Sequence, residues 1–222
     1  MAREDAPLAA AHALAPRYLE SQLAGDRSSA VRLVMDEGVR GGVAVRELHL
    51  GVLQPAQREI GRLWQENRIS VAQEHLATGI TQLVLAKLYE HIPRESANGK
   101  VAIVACVEGE HHDLGARMGA DFLEMAGFDV QYLGANVPTK DLVAMVGDTK
   151  PDLLGLSVAM TFHVPELVRA VAAVRVANES LPVVVGGHVL AWAPELEQQL
   201  GVIAFDTCAD RIVTRCRKEL GC

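Results

Sequence analysis

The chain has 222 residues, enough for one large domain or for two small ones that each bury a core. Half of the residues (50%) are apolar and 22% are charged, the balance of an ordinary water-soluble globular protein, and no apolar run approaches membrane-spanning length. The formal net charge of −7 argues against nucleic acid as a direct partner, because phosphate binding draws on surplus Lys and Arg.

Residues 1–93 read as helices. The opening "MAREDAPLAAAHALAPRYLE" lacks the uninterrupted apolar core of a signal peptide, so a cytoplasmic protein is expected. Alanine-rich residues 6–25 form a first helix that stops at Gly25. Residues 26–42 form a second, with Asp26 as its cap and Gly41-Gly42 as its break. Over 43–67, Val45, Leu48, Val52, Ile60 and Leu63 recur at mostly helical intervals, and Pro55 suggests a kink. Residues 70–92 open with Ser70 three positions before Gln73, a capping-box pattern. Four helices joined by short loops predict a four-helix bundle.

After the polar linker "PRESANGK", residues 93–100, the period changes. Apolar runs at 101–107, 129–134, 152–158, 182–187 and 201–206 read as strands. Between and after them, 113–127, 139–149, 164–178, 190–200 and 209–220 read as amphipathic helices. Strands with no polar face, alternating with helices, predict an α/β domain over 100–222: a flavodoxin-like (Rossmann-type), doubly wound, parallel five-stranded sheet. Cys106, Cys208, Cys216 and Cys222 form no CxxC or CxxH pair and read as reduced thiols, with Cys106 buried in the first strand.

In an open parallel sheet, ligands bind beyond the carboxyl ends of the strands. Three features fall there. Glu110-His111-His112-Asp113 follows the first strand, Ser157 ends the third, and Gly186-Gly187 end the fourth. A histidine in the first loop can ligate a metal while a nearby carboxylate fixes its tautomer. Glycines at a strand end let a ligand approach the backbone. Each also has a plainer role: Asp113 stands where it caps the next helix, and Ser157 alone is an ordinary strand residue.

Glu110-x-His112-x-x-Gly115, then Ser157-Val158-Ala159 after 41 residues, then Gly186-Gly187 after 26 more, resembles the signature of the cobalamin-binding domain. The resemblance covers residues 100–222 and implies cobalamin bound base-off. His112 would be the lower axial ligand to cobalt in place of the dimethylbenzimidazole. Glu110 would hydrogen-bond the other ring nitrogen, and Ser157 with Gly186 and Gly187 would line the slot for the displaced nucleotide tail. The pattern departs in having Glu for the usual Asp and Ala159 for the usual Leu. His111 reads as an exposed neighbour pointing elsewhere.

Trp64, then nine residues, then Glu74-His75, placed before such a domain, resembles the light-sensing regulators of the CarH/LitR type. By themselves a tryptophan at a helix end is a core residue and Glu74-His75 a solvated first turn. The resemblance implies adenosylcobalamin, with Trp64 packing on the 5'-deoxyadenosyl group and Glu74 and His75 lining the same pocket. Light would break the cobalt–carbon bond and move the bundle, a ligand-biased two-state switch. Two departures matter. No helix-turn-helix stands before the bundle, which agrees with the acidic charge. Gln65 replaces the histidine that captures cobalt after photolysis in the regulators, leaving only His75 or His163 for that part. The expectation is a non-enzymatic sensor acting through a homo-oligomer or a downstream protein partner. Stand-alone relatives, the photocobilins, add a bilin, biliverdin or another linear tetrapyrrole. The competing reading is a corrinoid methyl-carrier protein of a methyltransferase system. A mutase small subunit is a third, though it would normally need a barrel partner and not a helical cap.

Overall fold

The computed structural model describes residues 5–191, 193–206 and 208–222. Residues 1–4 of the opening read for a signal peptide, and Trp192 of the helix expected over 190–200, lie outside the described residues. The chain divides into two compact units, Met1–Pro93 and Arg94–Cys222. Among the described residues, no helix is long and apolar enough to cross a membrane.

The first unit is helical. Helix α1 (Asp5–Leu23) ends just before Gly25, whose φ of +68° suits glycine. Asp26 caps α2 (Arg27–Arg32) by accepting the Ser29 amide at 2.9 Å, and the chain then widens into π-helical turns over Leu33–Val39. Helix α3 (Val45–Leu48) likewise passes through a π-helical stretch, His49–Leu53, into α4 (Gln54–Gln65). Pro55 sits in the first turn of α4, so the irregularity expected at the proline is a widened turn just before it. Proline has no N–H to return to residue 51, and the π turn absorbs the lost bond. Helix α5 (Val71–Leu88) starts with the Ser70–Gln73 capping box in place and closes in a 3-10 turn, Tyr89–His91. Tyr18, Leu48, Leu53, Ile60, Ile80, Leu85 and Leu88 are fully buried. Gly38 has no Cβ because one would stand 2.8 Å from Leu48 Cδ2.

The second unit carries strands β1 (Val101–Cys106), β2 (Asp129–Gly134), β3 (Leu153–Ser157), β4 (Val183–Gly186) and β5 (Ala204–Asp206), all parallel, in the order β2-β1-β3-β4-β5. Helices α6 (Leu114–Met125), α7 (Thr139–Thr149), α8 (Val164–Ala177), α9 (Leu196–Leu200) and α10 (Ala209–Leu220) complete it. Both faces of the sheet are covered, which is why the central strands β1, β3 and β4 show no polar face; edge strand β2 carries Asp129 and Gln131. Ile103, Ala105, Leu154, Leu156, Val183 and Val185 pack with Leu142, Val146, Leu167 and Val171 of α7 and α8. Ala102, Val104, Cys106 and Val184 pack with Ala116, Ala120 and Leu123 of α6 and Cys216 of α10.

Three expectations change. The helix over 190–200 is a 3-10 turn (His188–Ala191) and a short α9, because Pro194 disfavours helix at the residue before it. The strand from 201 begins at Ala204, since Gly201 (φ +58°) ends α9. The polar linker is docked on the second unit rather than free. Glu95 N–H donates to Met125 O, and Asn98 N–H donates to Gly127 O, each at 3.0 Å, so this segment satisfies carbonyls left open at the end of α6.

Candidate functional site

The loop leaving β1 turns sharply at Gly109 (φ +82°), and Glu110 N–H returns to Val107 O at 3.0 Å. This turn drives the Glu110 side chain inward, where it has no solvent exposure. Its Oε1 accepts from the His112 amide at 2.9 Å and from His112 Nδ1 at 2.5 Å. Its Oε2 accepts from the Ala159 amide at 2.9 Å, the Met160 amide at 3.1 Å and His163 Nδ1 at 3.1 Å. Burial alone would raise the carboxyl pKa. The bonds from His112, His163 and the Ala159 amide outweigh it and hold Glu110 well below the usual carboxylate range. The His112 imidazole is about half exposed (52%), whereas His163 is largely covered (15%). His111 is exposed.

Asp113 occupies the N-cap position of α6 but makes no capping bond; the Tyr132 hydroxyl donates to its carboxylate at 3.1 Å instead. The cap reading is therefore corrected: Asp113 has αR backbone angles, which aim its side chain away from the helix amides. Burial first, and then the Asp113 charge, push the Tyr132 phenol upward. Gly115, in the first turn of α6, faces open space: a Cβ there would meet nothing within 4 Å.

Ser157 ends β3, buried and in register with Cys106 on one side and Gly186 on the other. Burial, followed by the charges of Asp113 and Glu110, pushes the Cys106 thiol up to about 12, against a hydrogen bond from Ser157. Beyond β4 the two glycines differ. Gly187 (φ +125°) could not carry a Cβ, which would fall 1.9 Å from the Val158 carbonyl oxygen. A Cβ on Gly186 would meet Ile212 Cδ1 at 3.5 Å, an ordinary contact. The protein's own packing explains Gly187 and leaves Gly186 unexplained. Sheet topology thus gathers Glu110, His112, Asp113, Gly115, Ser157, Gly186 and Gly187 at the carboxyl ends of β1, β3 and β4.

In the helical unit, Trp64 lies half-buried in the last turn of α4, followed by exposed Gln65. Glu74 and His75 lie at the start of α5, joined by a 2.5 Å bond from His75 Nδ1 to Glu74 Oε2. Helices α4 and α5 run antiparallel across a short loop, so the three residues share one end of that pair. Among the described residues, no three or more His, Cys, Asp or Glu side chains group to hold a metal ion.

A family model described as the B12 binding domain matches residues 100–210, and a second one, also described as a B12 binding domain, matches residues 14–89. The chain belongs to the B12-binding family. It is similar to dimethylamine corrinoid protein 1 of Methanosarcina acetivorans, at 26% identity over 72% of this chain and 78% of that protein. It is also similar to the HTH-type transcriptional repressor CarH of Myxococcus xanthus, at 31% identity over 69% of this chain and 51% of the repressor, so it spans about half of that relative's length. The fold matches that of the Methanosarcina barkeri monomethylamine corrinoid protein, with a TM-score of 0.79 at 18% identity, covering 92% of this chain and 96% of that one.

Sequence reasoning missed two parts of this B12-binding chain's loop network, the bond of His163 to Glu110 and the place of Asn136. His163 shares the Glu110 carboxylate with His112. Asn136, at φ +51°, ties the β1 loop to the end of β2: its Oδ1 accepts the Gly109 amide at 2.7 Å, and its N–H donates to Glu110 O at 2.8 Å. The available signal was that both follow a strand on the ligand side of the sheet.

Proposed function

We propose that this chain holds cobalamin base-off through His112 and serves as a light sensor when the cofactor is adenosylcobalamin. The observation that carries the reading is the half-exposed His112 imidazole, held through Nδ1 by a fully buried, ionised Glu110. With the proton on Nδ1 engaged by the carboxylate, the neutral ring has its lone pair on Nε2, as a metal-bound histidine requires. One imidazole suffices for a metal whose remaining ligands come from the cofactor itself. The open space at Gly115 and the unfilled Cβ position of Gly186 fit a large ligand lying on these loops. Ser157, Gly186 and Gly187 would line the slot for the nucleotide tail, with Asp113 fixed beside it by Tyr132.

When bound, adenosylcobalamin supplies a light-labile cobalt–carbon bond. Trp64, Glu74 and His75 would serve the upper ligand, and their placement at one end of α4 and α5 supports the sensor reading. Release of that ligand would change the oligomeric state or a contact with a protein partner. A bilin such as biliverdin would extend the response to red light. The second reading, a corrinoid methyl carrier, is supported by the match to most of the length of dimethylamine corrinoid protein 1.

The test is to load the chain with adenosylcobalamin in the dark, illuminate with green light and record absorbance and elution volume. A sensor changes both. An unchanged dark spectrum, together with methyl transfer to a partner enzyme, would overturn the sensor in favour of the carrier; a bound bilin would add a separate red band.

A further inference from the structure

A continuous line of hydrogen bonds crosses the helical unit. Gln22 on α1 is 1% exposed, and its Nε2 lies 3.1 Å from Ala77 O, 2.9 Å from Thr81 Oγ1 and 2.7 Å from Gln57 Oε1, so its two hydrogens are shared among three acceptors. Gln57 Nε2 on α4 donates to Thr78 Oγ1 at 3.2 Å, and the Thr78 hydroxyl donates to Glu74 Oε1 at 2.7 Å. The other Glu74 oxygen takes His75 Nδ1. At the inner end, buried Thr81 also bonds the fully buried Tyr18 hydroxyl at 2.9 Å.

The direction of this line is forced. The Ala77 carbonyl can only accept, so it turns the nitrogen of the Gln22 amide toward itself and toward Gln57. An ionised Glu74 can only accept, so Thr78 must give it a proton and must receive one from Gln57. Both amide orientations follow from the two accept-only ends. Each donor polarises the next, and the line terminates on an anion.

We infer that Gln22, Gln57 and Thr78 are positioning residues for the Glu74–His75 pair: the line holds the Glu74 carboxylate in one place, and Glu74 in turn keeps the His75 proton on Nδ1 and its lone pair on Nε2. A partly buried acid beside an exposed imidazole, joined to it by one bond, would by itself be loosely held. The line makes the pair a fixed feature anchored in the core on α1. It is kept at a cost to stability, because Gln22 Oε1 is buried with no hydrogen-bond partner among the described residues, an arrangement that an apolar side chain would avoid. What the fixed imidazole serves rests on the reading of Glu74 and His75 as residues facing the upper ligand.

The test uses the full chain without cofactor and in the dark, so its failure is separable from failure of the light response. Nitrogen-15 NMR of the neutral His75 ring reports the tautomer, and thermal unfolding reports stability. The expected wild-type result is a single tautomer protonated at Nδ1. Thr78→Val and Gln57→Leu should each convert it to a mixture of both tautomers with no loss in melting temperature, and Thr78→Ser should restore the single form. A single unchanged tautomer in Gln57→Leu would end the line at Thr78 and overturn the inference. If Gln57→Leu and Gln57→Met both unfold the helices, Gln57 is a packing residue and the inference also fails.

Discussion

Glu110 accepts from five donors, two on Oε1 and three on Oε2, and those donors keep it charged where it has no access to solvent. Its folded pKa lies below the unfolded value of about 4.3, so its contribution to stability is complete above that value and is lost as pH falls toward the folded pKa. In the cofactor-free chain, Glu110→Gln should cost about 1–3 kcal/mol at pH 7, by placing an amide N–H among donors. It should also flatten the decline in stability between about pH 5 and pH 2, as read by urea unfolding at several pH values. A steep acid decline that persists in the variant would assign it to other carboxylates. Cys106 gives a second expectation. With its thiol pushed up to about 12, it should resist alkylation at pH 8 in the folded chain, while exposed Cys222 reacts. Peptide mapping after a brief pulse of label decides. The pairing of Glu110 with His112 was legible because two residues of spacing put them in one loop. The part taken by His163 was not, because 53 residues separate it from Glu110 and only the path of the loop after β3 brings them together.

At the scale of elements, the end of β4 separates a glycine that packing needs from one that the proposed cobalamin site would need. Gly187→Ala would force a Cβ onto the Val158 carbonyl at a positive φ, and should destabilise the second unit by about 3 kcal/mol or more. Gly186→Ala meets only ordinary contacts, so it should shift the melting temperature little, within roughly 1 kcal/mol, yet weaken cobalamin retention on gel filtration. If Gly186→Ala retains cobalamin like the wild type, the nucleotide slot lies elsewhere. Both glycines stood out in the sequence, but which one the backbone requires depends on how closely β4 passes β3, a tertiary distance that no local pattern encodes. The central strands were legible for a simple reason: with helices on both faces, β1, β3 and β4 are apolar almost throughout. The π turns before Gln54 and after Arg32 were not, because an added residue in a turn shifts the helical period only locally. The docked linker escaped for a similar reason. "PRESANGK" is polar like any linker, and its work is done by backbone groups that answer the open carbonyls of α6.

At the scale of the whole molecule, the two units divide the proposed labour. The second has its own sheet, a core on each face, and the segment from Arg94 to Lys100 closing the end of α6. It should therefore fold when produced alone as Arg94–Cys222, and a version starting at Lys100 should melt several degrees lower, since it gives up the Glu95 and Asn98 hydrogen bonds at about 0.5–1.5 kcal/mol each. The isolated second unit keeps Glu110, His112, Ser157 and both glycines, so it should take up cobalamin and give the spectrum of a His-ligated, base-off cofactor. His112→Ala in the same piece should abolish that signature; its survival would move the ligand to His111. What the piece lacks is Trp64, Glu74, His75 and the donor line behind them. If the helical unit converts cofactor photochemistry into a change of shape, illumination should alter the spectrum of Arg94–Cys222 while leaving its elution volume and sedimentation unchanged, whereas the full chain changes both. A light-driven change in elution of the isolated second unit would place the switch in the α/β half and remove the reason to assign Trp64, Glu74 and His75 to it.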